Sequence, residues 1–184
     1  MTLKKNNRKL KLWELDRVTE EVYKQQVKFP LVVVLDDIRS LNNIGSFFRT
    51  ADAFMVKKIY LCGITACPPH KDIHKTALGA TETVAWEYAE SVVELAERLK
   101  SEGYELCSIE QAQNTTKLNE LTINHKQKFA LFFGNEVNGV KQDVVNLSNI
   151  VVEVPQFGTK HSLNVSVCAG IVLWEFSKHF KLIQ

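Results

Sequence analysis

The chain of 184 residues is short of several things, and each shortage removes a class of function. Its 8 glycines form neither G-x-G-x-x-G nor a G-K-[ST] phosphate loop, so the signatures of a dehydrogenase or an NTPase are missing. The four cysteines, Cys62, Cys67, Cys107 and Cys168, contain no C-x-x-C pair. Three of them lie within or beside apolar runs, which fits buried reduced thiols better than a disulfide framework. No apolar stretch approaches the length needed to cross a bilayer, and the opening MTLKKNNRKLKLWELDR holds no apolar run of the kind a secretory leader carries. A cytoplasmic location and no membrane partner are therefore expected. His70 and His74 are four apart, but Lys71 stands where a zinc-protease helix places Glu, and Pro68 and Pro69 favour a loop, so no metal site is expected. The formal net charge is only +2, so a polyanionic partner has to be argued from local clusters.

What remains is ordinary globular composition, with 45% hydrophobic and 24% charged residues. A chain of this size fits one domain with a short extension and buries roughly 70% of its unfolded surface without staples. Short apolar runs read as strands at 31–38, 58–63, 104–110, 128–134 and 150–155, with a further short one near Val84–Tyr88. Several are continuous and rich in β-branched or aromatic residues, the pattern of strands buried on both faces. Helical patterns fall at 46–54, 91–101, 138–148 and 162–180, with Ser91 as an N-cap and Gly103 as a stop. The alternation predicts an α/β domain over 28–184 with a mostly parallel sheet flanked by helices.

Residues 1–27 differ. Lys4, Lys5, Arg8, Lys9 and Lys11 precede the first acid, Glu14, and the segment reads as an amphipathic helix carrying Leu10, Trp13, Leu15 and Val18. It is either a solvated helix packed on the domain or a basic arm touching phosphates.

Three loops carry candidate chemistry. In NNIGSFFRTADAF (42–54), Asn43 and Gly45 suit a tight turn, and Arg49 follows in the helix, with Arg39 in the loop before it. The planar fork of Arg49 suits a phosphate or a developing negative charge; the structural alternative is an ion pair with Asp52 or Asp36. In LFFGNEVNGV (131–140) a strand ends in Gly134, Asn135 and Glu136, with Gly139 beyond, and ligands of parallel sheets bind at such carboxyl ends; a plain strand-to-helix turn is the alternative. In VPQFGTKHSLNVSVCAG (154–170), Ser162 and Asn164 stand at a helix start, where Ser162 can simply cap.

Together these loops resemble the three motifs of the SpoU (TrmH) branch of the SPOUT RNA methyltransferases. N-x-G-x-x-x-R-T-A is matched by Asn43, Gly45, Arg49, Thr50 and Ala51; G-x-E-x-x-G by Gly134, Glu136 and Gly139. P-x-x-G followed by S-L-N-V-S-x-x-A is matched by Pro155, Gly158, Ser162, Leu163, Asn164, Val165, Ser166 and Ala169. KTALGATETV (75–84) is also similar, and the resemblance spans about 30–180. Each motif alone is weak, whereas three in order are specific. Gln156 departs from the pattern, standing where the family usually has an apolar residue.

The resemblance implies a deep trefoil knot at the C-terminus, a homodimer whose sites are completed by the partner subunit, and transfer of a methyl group from S-adenosylmethionine to a ribose 2′-hydroxyl of RNA. It assigns Ile109, Gly134, Asn135, Val154, Gln156 and Leu163 to the cofactor, and Asn43, Arg49, Glu136, Ser162 and Asn164 to catalysis. A guanidinium is not deprotonated in proteins, so Arg49 is expected to act as an electrostatic clamp on phosphate and incipient alkoxide, not as a base. Lys4, Lys5, Arg8, Lys9, Arg39 and Lys75 are expected to face RNA, with tRNA preferred over rRNA because no large appended RNA-binding domain is seen. The rival expectation is a non-catalytic RNA-binding protein on the same knotted fold.

Overall fold

Leu31–Leu35 is an unbroken run of branched aliphatic residues because both of its faces are covered, as a computed structural model describing residues 7–124 and 126–180 makes visible. The run belongs to β1 (Phe29–Asp36), one of seven strands with β2 (Val56–Cys62), β3 (Trp86–Ala89), β4 (Tyr104–Ile109), β5 (Thr116–Lys117), β6 (Lys128–Gly134) and β7 (Ile150–Glu153). Their spatial order is β3-β2-β1-β6-β4-β7-β5, and every pairing is parallel.

The strand period of two divides the apolar residues between two cores. Leu31, Val33 and Leu35 face α2 (Leu41–Ala53), α3 (Lys71–Ala77), α4 (Ala80–Thr83) and α7 (Val165–His179), while Val32 and Val34 face α5 (Val92–Ser101) and α6 (Gln142–Leu147). Each such side chain contributes about 1.5–3 kcal/mol by burial. Phe47 on α2 meets Phe133 on β6 edge-on, with ring centroids 5.2 Å apart, which fixes α2 over the carboxyl half of the sheet. Ser91 accepts from Glu94 N at the start of α5, and Gly103 takes a φ of +82° beyond its end, both as expected.

Other expectations need correction. α2 starts at Leu41, not at 46, because the Ser40 side chain accepts from Asn43 N and caps it. Asn43 and Gly45 therefore lie in its first turns, not in a tight turn. Gly45 is required by packing instead: a Cβ there would stand 2.0 Å from Thr76 Oγ1 and 2.3 Å from Ile73 O on α3. α7 starts at Val165 and is capped by Asn164, not Ser162; the Asn164 amide oxygen accepts from Ser166 N and Val167 N. α6 spans only Gln142–Leu147 of the expected 138–148. The segment around His74 is helical, with His70 Nδ1 accepting from Asp72 N at its start. β5 and α4 were unsignalled in the sequence.

The N-terminal segment is a 3-10 turn at Leu12–Glu14 followed by α1 (Glu20–Gln25), and Leu10, Trp13, Leu15 and Val18 are all exposed. They do not form an apolar helix face packed on the domain. Tyr23 is the buried anchor, its hydroxyl donating to Asp52 O at 3.0 Å. Lys4 and Lys5 lie outside the described residues. No helix among the described residues is long and apolar enough to cross a membrane.

Candidate active site

The carboxyl ends of β4, β6 and β7 open into a cavity of about 580 Å³ beside the N-terminus of α7. That volume lies within the range of small-molecule sites, and its position is where parallel sheets bind ligands. Its apolar wall is formed by Ile109, Phe133, Val152, Val154, Leu163 and Val165. All six residues expected at the cofactor, Ile109, Gly134, Asn135, Val154, Gln156 and Leu163, line this one space, as do Glu136, Ser162 and Asn164. Apolar side chains on one side, and backbone groups near Gly134 with polar side chains on the other, suit a ligand that is itself part apolar and part polar.

The loop after β6 is held from several sides. Gly134 has no room for a side chain, because a Cβ would stand 1.8 Å from the Gly139 carbonyl carbon. Asn135 closes the turn, its Oδ1 accepting from Val137 N and Asn138 N and its carbonyl accepting from Gly139 N. Gly139 takes a φ of +66°, in the left-handed region. The next two amides are captured by carboxylates at the carboxyl ends of other strands: Val140 N donates to Glu110 Oε2, just past β4, at 2.9 Å and Lys141 N to Asp36 Oδ2, the last residue of β1, at 3.2 Å.

Asp36 is fully buried, and burial holds its carboxyl above the ordinary range despite the amide and ammonium of Lys141. Lys141 Nζ lies 3.3 Å from Asp36 Oδ1 and 3.1 Å from Asp37 Oδ2. Asp36 Oδ1 has no directed hydrogen bond, so its contact with Lys141 is Coulombic.

Asn43 joins the three loops. Its Nδ2 donates to Glu136 Oε1 at 2.7 Å, and its Oδ1 accepts from Asn164 Nδ2 at 3.2 Å and from Ser166 Oγ at 3.3 Å. A buried amide with both ends satisfied fixes the relative position of α2, the β6 loop and the start of α7.

Arg49 stands apart from this network. It is exposed on α2, does not line the cavity, and has no ion pair among the described residues. Asn43 and Glu136 hold each other, and neither is bonded to Arg49 among the described residues. The structural alternative is not realised either, since Asp36 is engaged by Lys141 and Asp52 accepts from Thr83 Oγ1 at 2.5 Å.

Of the basic residues expected at RNA, Lys9, Arg39 and Lys75 are exposed, whereas Arg8 is tied to Glu14 at 2.8 Å. Sequence reasoning did not single out Glu110, Gln111 or the Asp36–Lys141 pair. The signal for Glu110 was an acidic residue directly after an apolar strand, at the sheet edge where ligands bind.

A parallel α/β sheet with a small-molecule-sized cavity at its carboxyl edge, bordered by three loops tied through one asparagine, defines an α/β ligand-binding fold. The chain belongs to the SpoU rRNA Methylase family, whose model matches residues 30–174. It is 30% identical over 156 residues to the 23S rRNA (guanosine-2'-O-)-methyltransferase RlmB of Neisseria meningitidis, covering 85% of this chain and 61% of that protein. Among solved structures it is similar to the TrmH/SpoU tRNA modifying enzyme of Aquifex aeolicus, with a TM-score of 0.76, 25% identity, and coverage of 87% of this chain and 79% of that one. It shares its fold with the AdoMet-bound rRNA methyltransferase of Sinorhizobium meliloti, at a TM-score of 0.76 and 24% identity, over 90% of this chain and 60% of that one.

Proposed function

We propose that this chain transfers a methyl group from S-adenosylmethionine to a ribose 2′-hydroxyl of structured RNA. The observation that carries the reading is the Asn43 amide, which draws Glu136, Asn164 and Ser166 together beside the 580 Å³ cavity. Support also comes from relatives named as 2'-O-methyltransferases and from a structural neighbour with AdoMet bound.

S-adenosylmethionine, when bound, supplies an electrophilic methyl group on a sulfonium whose thioether leaving group is neutral. The protein therefore needs no acid for the leaving group; its task is to position a weak nucleophile and to favour its deprotonated form. Ile109, Gly134, Asn135, Val154, Gln156 and Leu163 hold the cofactor. Ser162 and Asn164 orient it at the start of α7, with Asn43 and Glu136 keeping the loops in register. Arg49, whose guanidinium has no ion pair among the described residues, clamps the RNA phosphate and stabilises the developing alkoxide. Lys9, Arg39 and Lys75 add phosphate contacts, joined by Arg8 once released from Glu14 and by Lys4 and Lys5.

Each site is completed across a homodimer, a reading supported by the place of Arg49 outside the cavity of its own chain. Val167, Ile171 and Trp174 support that pairing as an exposed apolar stripe along α7, at 54%, 40% and 59% exposure. The C-terminal segment threads a deep trefoil knot; Gln111 Nε2 donating to His161 O at 3.0 Å supports the close passage of two loops that a knot requires. The enzyme works in the cytoplasm, uses no metal, and takes tRNA ahead of rRNA.

The test is transfer of labelled methyl to total tRNA and to rRNA by the wild type and by Arg49→Ala. The variant is expected to fold and bind cofactor but to lose transfer by at least about 100-fold, the scale of one preorganised charge. Equal activity removes Arg49 from the mechanism. RNA binding without transfer by the wild type selects the non-catalytic reading instead.

A further inference from the structure

The ionisable side chains that line the cavity are Glu110, Glu136, Glu153 and His161, with no lysine or arginine among them. In a chain that carries 23 basic residues and is read as binding RNA, this is a local reversal of sign. The three carboxylates differ in how far they are compensated. Glu153 is paired with Lys117 at 2.5 Å and accepts from Thr115 Oγ1 at 2.9 Å. Glu136, engaged by the Asn43 amide, also has no cation within 4.0 Å among the described residues, but it is exposed at the rim, where solvent screens its charge. Glu110 is half-buried and has no cation within 4.0 Å among the described residues.

Glu110 is also fixed. Its Oε1 accepts from Gln111 N at 2.8 Å and its Oε2 from Val140 N at 2.9 Å. Gly139 closes over it so tightly that a Cβ at that position would stand 2.1 Å from Oε2. Two amide donors stabilise a carboxylate without cancelling its charge. Its field reaches across the cavity floor to α7, where it adds to burial in raising the Cys168 thiol.

The methyl donor and its product differ chiefly by one positive charge. The donor carries a sulfonium, whereas the S-adenosylhomocysteine left after transfer carries a neutral thioether. An immobile, unpaired carboxylate in the cavity wall lowers the energy of the first and not of the second.

We infer that Glu110 is a donor-selecting residue, whose fixed carboxylate makes the cavity prefer the cationic donor over the neutral product and so favours exchange after each turnover. The inference rests on the proposed cofactor reading.

The experiment measures affinities of S-adenosylmethionine, S-adenosylhomocysteine and sinefungin, which has an ammonium-bearing carbon in place of the sulfonium, by titration calorimetry on the full chain. For Glu110→Gln, binding of the two cationic ligands is expected to weaken about fivefold to twentyfold relative to the product, the scale of one partly screened charge pair. Glu110→Asp keeps the charge and retains most of the preference. If Glu110→Gln does not fold, the wild-type preference itself is measured against ionic strength and is expected to fall as salt rises. Equal weakening of all three ligands reduces Glu110 to a prop for the Val140 turn and overturns the inference alone. A salt-independent preference in the wild type does the same. Failure of the wild type to bind any of the three overturns the cofactor reading itself.

Discussion

Asn43 and Glu136 are 93 residues apart in sequence, yet their side chains meet at 2.7 Å, amide to carboxylate. The donor in this pair is what matters. Asn43→Asp replaces it with a second carboxylate facing Glu136 and is expected to cost about 1–3 kcal/mol at neutral pH, more than Asn43→Ala. On acidification one of the two carboxyls takes a proton and donates to the other, so the Asp variant recovers where the Ala variant does not. Thermal melts of both variants from pH 5 to 8 check this; identical profiles would remove the pair from the account.

Gly139 is required twice over, by its φ of +66° and by the 2.1 Å that would separate a Cβ at this position from Glu110 Oε2. Gly139→Ala is expected to cost about 1–3 kcal/mol through backbone strain and displacement of Glu110. Cofactor affinity falls with it, because the same turn borders the cavity. Calorimetry alongside a melt separates the two effects, and a variant with unchanged affinity contradicts the pinned-loop description.

The Asp36–Lys141 pair sets a pH dependence. Burial raises the folded-state pKa of Asp36 above its unfolded value, so the native state keeps this proton to higher pH. The stability linked to this group is therefore greatest at low pH and is lost as pH rises from the ordinary carboxylate range through the raised folded value. Lys141→Ala removes the compensating cation and is expected to cost about 1–2 kcal/mol at pH 8, a modest figure because the lysine is half exposed. The deficit narrows on acidification, and Asp36→Asn in the Lys141→Ala background restores stability at pH 8. Denaturant melts across this range measure it; a deficit that grows as pH falls has the wrong sign.

Cys168 lines the cavity, and burial together with the Glu110 charge pushes its thiol up to about 11. At pH 8 roughly a thousandth is thiolate, so a disulfide reagent reacts slowly there. Cys62, pushed up by burial to about 12, and fully buried Cys107 are slower still, which leaves Cys67 as the first thiol to be modified. Mass spectrometry of peptides after brief labelling gives the order, and Cys62 or Cys107 reacting before Cys67 contradicts it.

The sheet was legible because a strand covered on both faces leaves an unmistakable run of branched residues; 128–134 was read to the residue, and β1 differs by two positions at each end. Helix starts were less legible, since Ser40 and Asn164 cap through side chains whose partners lie within an otherwise ordinary turn. The residues of the cavity wall were legible only through the resemblance to the SpoU motifs, not from the residues themselves. The carboxylates of Asp36 and Glu110 were not, because nothing local in DDIRS or IEQAQ shows that each captures a backbone amide 105 or 30 residues away. Arg49 shows the reverse limit: its motif marks it for chemistry, but its place in a single chain lies outside the cavity.

The most direct measurement is the chemical position of a methyl group delivered by this protein. After incubation with S-adenosylmethionine bearing a labelled methyl and with tRNA and rRNA in separate reactions, the RNA is digested to nucleosides and resolved by mass spectrometry. The account predicts label on the ribose 2′-oxygen of one nucleotide in a structured RNA, and its loss in Arg49→Ala. Label on a base, or wild-type protein that binds the cofactor and never transfers it to either RNA, would contradict it.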